Sequence, residues 1–470
     1  MEFRNLTSFP AIAFDALDQR DVRFHTVAIR LTFTLQPDGT LAFAEEQTPL
    51  ITSDVHYGEP NQSSSRQESD FVPYKPCTDV IINAHAHAPK GKVLEQFYTG
   101  IEIQSASIAP DFPSRPHGLN QFDAPSAAQL ASWAKQCDAA RLMARAHAVI
   151  LSKNLLVSGP REWRRRSTLL RVLSAFALPK WRLSRATPIA ALPLRYEYAY
   201  GGENKVLSNA PHARRVPRQN RLSTSPSVPK APPATVAIAH SVHVGNPIGI
   251  GWIDAWFAKA ARCKRVSAPQ IIHPAEQLTP PGTLNTLQPA GFGIVSRAWQ
   301  PRLAMAGTYD QAWLEKRHPY LPADFNFRYW NGAPEDQQVR AFLTGDETVT
   351  LFNMCPHTTP GARRDANGNT CLSFHLPGHL PFVLVRYEDG QLAELPAHLD
   401  TLLIEAVPVK PALPLAIQVI GVWRATIAVT PAVRILEARM ISRNEADAMR
   451  TEQQIGTDAT TATVALATSS

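Results

Sequence analysis

Residues 22–35 read VRFHTVAIRLTFTL, a stretch in which β-branched and aromatic side chains follow one another in rough alternation. This pattern is typical of a β-strand that buries one face. Residues 36–39 (QPDG) follow at once, and Pro, Asp and Gly favour a chain turn. The stretch therefore predicts a long strand that ends in a turn, which points to a β-rich fold.

Other stretches extend this prediction in both directions along the chain. Residues 78–88 (TDVIINAHAHA) predict a strand that pairs with residues 93–103 through a turn at residues 89–91. Residues 148–157 predict a hairpin centred on Lys153 and Asn154. Further strands are predicted over residues 348–353, 381–387 and 415–430. Arg195, Glu197 and Tyr200 are expected on one alternating strand that ends at Gly201 and Gly202. Helices are predicted over residues 126–147, 252–264 and 443–454, the first because it is rich in Ala and free of Pro.

Composition supports a β fold with many turns. Apolar residues make up 44% and charged residues 19% of the 470, which excludes a wholly disordered chain. The 40 prolines argue against a bundle of long helices, because proline breaks helix interiors. We expect a mainly β protein of sandwich-like units with a few peripheral helices and long Pro-rich loops. The predicted segments are 1–205, a basic Pro/Ser-rich linker or loop at 206–234, 235–442, and a terminal helix and disordered tail at 443–470.

Compartment signals in the sequence favour the cytoplasm. The first 20 residues hold no uninterrupted apolar run, so no signal peptide is predicted. The most apolar run, residues 411–423, is too short to cross a bilayer core of about 30 Å. The five cysteines form no CxxC pair, which favours free thiols in a reducing compartment. Neither a membrane partner nor a disulfide framework is expected.

Positive charge is concentrated in one part of the chain. Residues 161–230 hold 15 Lys/Arg and 3 Asp/Glu, whereas the whole chain has a net charge of +7. A solvated basic loop, an acidic protein partner and nucleic acid all fit this charge. No groove-reading motif accompanies it, so no nucleic-acid partner is predicted. The candidates for steering an acidic partner are Arg164, Arg165, Arg166, Arg214 and Arg215.

Three patterns resemble ligand sites but are incomplete. His85 and His87 lie two residues apart on a predicted strand, yet no third metal ligand follows at a motif spacing. The run that begins at Asp365 lacks the Gly and Glu that a calcium loop requires at its sixth and twelfth positions. Residues 245–251 (GNPIGIG) lack the Lys-Ser/Thr of a phosphate-binding loop, and glycines at a tight β-corner explain them better. No metal or cofactor is expected.

Acidic residues in Pro- and Gly-rich turns are the remaining candidates for catalysis. Glu335, Asp336, Asp346 and Glu347 could supply the carboxylate pair of a hydrolase or carbohydrate-active enzyme. Carboxylates in such turns more often form caps and turns. The sequence therefore gives little support for an enzyme at any of these sites.

Several unusual strings occur in a fixed order and none has a catalytic pattern. They are YKPCTDV (74–80), GPREW (159–163), LRYEYAYGG (194–202), NPIG (246–249), PAGFG (289–293), WQPRLAMAGTYD (299–310) with Trp313, LPADFN (321–326), WNGAPEDQ (330–337), LTGDE (343–347), LDTL (399–402) and WR (423–424). Together they resemble a bacterial family first catalogued as a domain of unknown function and since associated with type VI secretion. The resemblance runs from about residue 1 to 440, and the blocks 105–147 and 206–234 depart from it as insertions.

The resemblance implies a non-enzymatic helper protein that binds another polypeptide and has no small-molecule substrate. Members are described as effector adaptors or accessory chaperones that hold a toxic effector, or its PAAR-repeat tip, and pass it to the valine-glycine-repeat spike. A structural component of the secretion particle is the other non-enzymatic alternative. The strings are expected to be mainly structural, with these residues at their centres: Lys75, Pro76, Asp79, Arg161, Trp163, Arg195, Tyr196, Glu197, Gly201, Gly202, Asn246, Pro247, Gly249, Gly307, Tyr309, Asp310, Pro334, Asp336, Gln337, Gly345 and Glu347.

Overall fold

The fold is known from a computed structural model of the full chain. The described residues are 1–105, 148–167, 178–222, 236–282, 287–406 and 415–442, with isolated positions between 132 and 143 and at 172 and 445. The predicted helices over 126–147 and 443–454 and the predicted tail lie largely outside them. Within the described part of the chain, no helix has both the length and the apolar character needed to cross a membrane.

Strands dominate the described residues, which confirms the mainly β prediction. In chain order they are β1 (Glu2–Asn5), β2 (Ala11–Leu17), β3 (Arg23–Leu35), β4 (Leu41–Phe43), β5 (Val55–His56), β6 (Ser65–Gln67), β7 (Thr78–His87), β8 (Gln96–Gln104), β9 (Val149–Ser158), β10 (Glu162–Arg165), β11 (Trp181–Leu183), β12 (Ala191–Pro193), β13 (Tyr200–Gly201), β14 (Glu203–Leu207), β15 (Ala237–Val242), β16 (Ile250–Gly251), β17 (Arg265–Ser267), β18 (Ile271–Ile272), β19 (Gln338–Val339), β20 (Thr348–Phe352), β21 (Arg363–Arg364), β22 (Thr370–His375), β23 (His379–Tyr387), β24 (Leu392–Pro396), β25 (His398–Ala406), β26 (Gln418–Ala428) and β27 (Val433–Ser442).

Three sheets form the body of the molecule. The largest has the order β12-β7-β25-β26-β3-β2, with β19 beside β7 and β4 beside β3. The second has the order β18-β9-β8-β20-β22-β21, and the third β1-β27-β23-β24. The predicted strand at 22–35 is β3, which pairs with β26 along its length. Strands from the 1–205 and 235–442 segments therefore lie side by side in the largest sheet.

The two largest sheets face one another across a shared core. Ile29 and Leu31 of β3 and Ile82 of β7 pack in one cluster with Ile101 of β8 and Leu155 of β9, all almost wholly buried. Burying a side chain of this size contributes about 1.5–3 kcal/mol, so such a cluster holds the sheets together. This face-to-face arrangement is that of a sandwich.

Among the described residues, the helices are short and lie at the periphery. Helix α1 (Ala255–Ala261), inside the predicted 252–264 helix, is capped by Asp254. Helix α2 (Gln311–Lys316) begins at Asp310, whose carboxylate accepts a hydrogen bond from the Trp313 amide at 2.8 Å. The 3-10 turns are Pro89–Gly91, Tyr196–Tyr198, Ala213–Arg215, Arg218–Asn220, Arg302–Ala306, Phe327–Trp330 and Glu335–Gln337.

Two predicted pairings are wrong. Residues 148–157 form no hairpin: β9 runs through Lys153 and pairs with β8, because its inward positions continue the alternation of Leu151 and Leu155. Residues 93–103 do not pair with 78–88 either. The turn at Pro89–Gly91, with Lys90 at a positive φ of 61°, carries the chain from the first sheet to the second.

Two further segments differ from simple expectation. Arg195, Glu197 and Tyr200 were expected on one alternating strand, but Tyr196–Tyr198 forms a 3-10 turn and only Tyr200–Gly201 is extended. The first part of the 206–234 segment is folded, because Val206, Ala213 and Val216 pack in one buried cluster with Trp256 of α1.

Candidate functional site

The structure separates the predicted family residues by exposure. It buries Lys75, Asp79, Trp163, Tyr196, Gly201, Gly202, Asn246, Gln337, Gly345 and Glu347. The half-buried residues are Pro76, Arg161, Arg195, Glu197, Pro247, Gly249, Gly307 and Pro334. The exposed residues are Tyr309, Asp310 and Asp336. These groups fill different roles.

Asp79 joins three distant strings in the interior. Its carboxylate accepts hydrogen bonds from Lys75 Nζ at 2.8 Å, Asn331 Nδ2 at 3.0 Å and the Gly332 amide at 2.8 Å. Lys75 Nζ also donates to Thr401 Oγ1 at 2.9 Å. A buried charge is tolerated only where such partners compensate it. The strings at 74–80, 330–337 and 399–402 are therefore parts of one structural network.

Asn246 fixes a second junction. Its Nδ2 donates to the carbonyls of Tyr196 at 2.9 Å and Tyr200 at 3.1 Å, and its own carbonyl accepts from the Gly202 amide at 2.9 Å. A Cβ at position 201 would lie 2.1 Å from the Asn246 carbonyl oxygen, so only glycine fits there. The strings at 194–202 and 246–249 are thus locked against each other.

The acidic turn residues have structural partners. The Glu347 carboxylate accepts from the amides of Thr344 at 2.6 Å and Gly345 at 2.9 Å, which closes the turn before β20. Asp346 accepts from Thr344 Oγ1, and Glu335 pairs with Arg328 at 2.8 Å. Glu335 and Asp336 are the members of the set that border a cleft.

This cleft, which we call the motif cleft, has a volume of ≈ 710 Å³ and is lined by parts of four strings. The string at 194–202 contributes Tyr196, the string at 289–293 contributes Pro289, and the string at 299–310 contributes Pro301. The string at 330–337 contributes Pro334 and Asp336. The remaining lining residues are Lys153, His243, Val244, Gly245, His273, Gln288, Val295, Gln300 and Glu335. Residues far apart in the sequence therefore converge on one concave surface of mixed polarity.

Lys153 lies at the floor of the motif cleft and was missed as a site residue. Its Nζ donates to the Gly291 carbonyl, to Asp336 Oδ1 and to Gln337 Oε1, each at 2.7 Å. Burial lowers the pKa of Lys153 to about 8, and Asp336 opposes that change. The signal in the sequence was a lysine at an inward position of an alternating strand.

Tyr196 forms the neighbouring part of the floor. Its ring packs edge-on against Trp299 with centroids 5.5 Å apart, and a Cβ at Gly291 would lie 2.8 Å from its Cζ. Burial raises the pKa of Tyr196, so its hydroxyl stays protonated. The floor of the cleft is therefore rigid and holds few groups that are free to react.

The longest string reaches from the core to the surface. Arg302 is buried and forms a two-pronged ion pair with Glu68, at 2.6 Å and 3.1 Å. Further along, Tyr309 stacks edge-on against Trp313 with centroids 4.7 Å apart, and Trp313 Nε1 donates to the Tyr320 carbonyl at 2.9 Å. We call Tyr309, Trp313, Leu314, His318 and Tyr320 the aromatic patch.

The aromatic patch is exposed although it is apolar. Tyr309 is 55% and Leu314 is 53% exposed, and Tyr320 is also exposed. Exposed apolar groups that cluster on a rigid support mark interaction surfaces, and Trp and Tyr are enriched at the energetic centres of protein interfaces. The patch can therefore bury apolar side chains of another polypeptide.

The predicted steering arginines do not form one continuous set. Arg164, Arg165 and Arg214 are exposed, and Arg166 is half-buried. Arg215 donates to the Ala260 carbonyl of α1 at 3.4 Å. These cations thus come from several elements, some of which pack around α1.

The incomplete ligand patterns have local explanations. His85 and His87 lie on β7 with ring centroids 6.4 Å apart, and burial lowers the pKa of His87 to about 4. Asp365 accepts from the Asn369 amide at 2.8 Å and closes the turn between β21 and β22. Across the described ranges, no three His, Cys, Asp or Glu side chains come together as a metal site would require.

Comparisons with known proteins give one match. The family model named DUF2169, described as an uncharacterized protein conserved in bacteria, matches residues 20–109 and 131–411. No curated protein and no solved structure matches the chain. The matched ranges include both walls of the motif cleft and the whole aromatic patch.

Proposed function

The chain belongs to the DUF2169 family of bacterial proteins, and from that premise we propose that it is a non-enzymatic adaptor for type VI secretion. In this role it holds a secreted effector, or the PAAR-repeat tip of one, and passes it to the valine-glycine-repeat spike. The order of the strings supports the link to secretion. The aromatic patch supports the binding of a polypeptide, and it is the observation that carries the proposal.

The way in which the string at 299–310 is anchored supports a role in binding a polypeptide. Its first half is anchored by the buried pair of Arg302 and Glu68, and its second half presents Tyr309 beside Trp313. A rigid support lowers the entropy that binding costs, because the contact residues are already in place. A transient partner can then be held without rearrangement of the scaffold.

Co-purification tests the proposal. We expect the tagged protein to retain a neighbouring effector gene product in stoichiometric amount, identified by mass spectrometry, and to be absent from the secreted fraction. Its presence in the secreted fraction would instead indicate a structural component of the particle. A preparation from the native bacterium that holds no effector or tip protein would contradict the proposal.

A matched pair of variants tests the aromatic patch itself. The double variant Tyr309→Ser, Leu314→Ser should lose at least tenfold in effector affinity, because exposed aromatic and Leu anchors supply much of the energy at an interface. The control is Tyr98→Ser, Leu392→Ser, which removes side chains that are 55% and 56% exposed elsewhere on the surface. Equal affinity of the two double variants, both with the parent's urea midpoint, would reject the patch as the binding site.

A hydrolase or carbohydrate-active enzyme is the second candidate function, and the position of Asp336 at the motif cleft favours it. Asp336 is, however, paired with Lys153 and so serves the fold. The variant Asp336→Asn separates the two functions. It should leave effector capture unchanged if the protein is an adaptor, whereas a hydrolase would lose turnover of its glycan or ester substrate.

A further inference from the structure

A second concave surface lies between the small sheet β11-β10-β17 and helix α1. It has a volume of ≈ 470 Å³, and we call it the basic cleft. Four exposed cations rim it: Arg165 of β10, Lys180 before β11, and Lys259 and Arg262 of α1 and its end. The other lining residues are Trp181, Ala255, Ala258, Cys263, Pro281 and Gly282. No carboxylate occurs among these described lining residues.

The four cations have no acidic partner among the described residues. None of them takes part in an ion pair within 4.0 Å there, whereas the neighbouring Arg164 is paired with Glu162 at 2.7 Å. Like charges gathered without counter-charge repel one another and destabilise the fold. Lys259 and Arg262 gain from lying near the end of α1, but that does not account for Arg165 and Lys180. The arrangement is suited to an anionic ligand.

The opposite face of the same small sheet has a different balance of charges. Register places Arg164 directly between Arg182 and Arg265, so three arginines lie in one row. Glu162 lies on that face and contacts two of them, at 2.7 Å to Arg164 and 3.7 Å to Arg265. That face is therefore partly neutralised by Glu162, whereas the described lining of the basic cleft holds no carboxylate.

The shape of the basic cleft indicates what kind of anion it takes. Its floor is apolar, with the buried side chains of Trp181 and Pro281 and the small residues Ala255 and Ala258. Such a floor suits the methylene groups of Glu side chains, while the rim suits their carboxylates. Trp181 is only 7% exposed and offers no face on which a nucleobase could stack. These features favour a polypeptide over a single-stranded nucleic acid.

We propose that the basic cleft is a docking site for an acidic, glutamate-rich segment of a partner polypeptide. Complementary charge speeds association and orients the partner, which suits a protein that must load and release its client. The proposal rests on the proposed function only for the identity of the partner, because binding of an acidic segment is measurable without any effector. The cleft includes Arg165 of the predicted steering set and adds three cations that the sequence did not single out.

The experiment measures binding of a fluorescein-labelled peptide of eight glutamates to the full chain at 150 mM salt, where charges are screened beyond about 8 Å. The test variant is Arg165→Gln, Lys180→Gln, Lys259→Gln, Arg262→Asn. Asn is chosen at position 262 because that residue has a positive φ of 51°, which Asn tolerates. The control removes the same charge from exposed sites elsewhere through Lys92→Gln, Arg363→Gln, Arg364→Gln and Arg434→Gln.

We expect the test variant to lose at least tenfold in affinity for the peptide and the control variant to stay within twofold of the parent. Equal losses in both variants would show that net charge alone attracts the peptide and would overturn the proposal. Tighter binding of an eight-nucleotide oligodeoxythymidine that the test variant also abolishes would overturn it in favour of nucleic acid. Loss of peptide binding in the test variant supports the basic cleft as the docking site even if no effector is ever captured. A failure of the docking proposal can therefore be told apart from a failure of the proposed adaptor function.

Discussion

The Nζ of Lys153 lies 2.7 Å from Oδ1 of Asp336, an ion pair between a wholly enclosed ammonium and a carboxylate at the edge of the motif cleft. The lysine belongs to β9 of the second sheet, and the aspartate belongs to a 3-10 turn that packs on this strand. Gln337 Oε1 and the Gly291 carbonyl complete the shell around the ammonium. This one side chain therefore holds three separate segments of the cleft wall together.

Replacement of Lys153 by Met should destabilise the protein by about 2–4 kcal/mol. The substitution keeps the apolar stem but leaves the Gly291 carbonyl and Gln337 Oε1 buried without their donor, and each such loss costs about 1–3 kcal/mol. The measurement is the urea midpoint of unfolding, with the exposed Lys92→Met as the control. A midpoint equal to that of the control would show that the lysine is not a structural tie.

The sequence predicted the type of fold from local patterns. The alternation over residues 22–35 identified β3 and its turn, because a strand with one buried face must place apolar side chains at every second position. The partner of β3 could not be found in this way. It pairs with β26, almost four hundred residues later, and nothing within either strand encodes that register.

The site was less predictable than the fold, and Lys153 shows why. A Lys-Asn pair between apolar runs suggested a turn, because such polar pairs usually reach solvent there. The lysine is buried instead, because Asp336 and Gln337, about 180 residues later in the chain, accept hydrogen bonds from its ammonium group. Local sequence propensity cannot predict hydrogen-bond acceptors that come from a distant part of the chain.

Acid should destabilise the protein partly through His87. Burial lowers the pKa of His87 to about 4 from 6.5, with a smaller contribution from the neighbouring His85. Between pH 6.5 and 4 the unfolded chain therefore binds a proton that the folded chain does not, so stability falls as the pH falls through that window. We expect the variant His87→Gln to lose about 1–2 kcal/mol less than the parent over this range, after allowance for the partly exposed ring.

Urea unfolding of the parent and of His87→Gln at pH 6.5 and at pH 4 measures this difference. Protonation of other groups, such as paired carboxylates, also lowers the free energy of unfolding in acid. These groups are common to both proteins, so their contributions cancel in the comparison. Parallel loss in the two proteins would mean that His87 titrates in the folded state as it does in the unfolded chain.

Gly201 should tolerate no side chain, and Gly390 provides the matched comparison. Both have a positive φ, 153° and 86°, so Ala is strained at either position. They differ in space: a Cβ at Gly201 would lie 2.1 Å from the Asn246 carbonyl oxygen, whereas nothing lies within 4 Å of one at Gly390. Gly390→Ala should therefore cost about 1 kcal/mol, the backbone strain alone.

Gly201→Ala should cost about 3 kcal/mol or more, because it also forces apart the junction between the strings at 194–202 and 246–249. Urea midpoints measure the two costs, and limited proteolysis after residue 202 measures opening of the junction directly if the Gly201→Ala protein is too unstable for a full titration. The Asn246 side chain donates to the carbonyl of Tyr196, which lines the motif cleft and packs against Trp299. The same variant should therefore loosen the cleft floor and increase the quenching of tryptophan fluorescence by acrylamide. Similar urea midpoints for the two glycine variants would show that the junction accommodates a methyl group at position 201. The close packing of these two strings would then not be what stabilises the cleft.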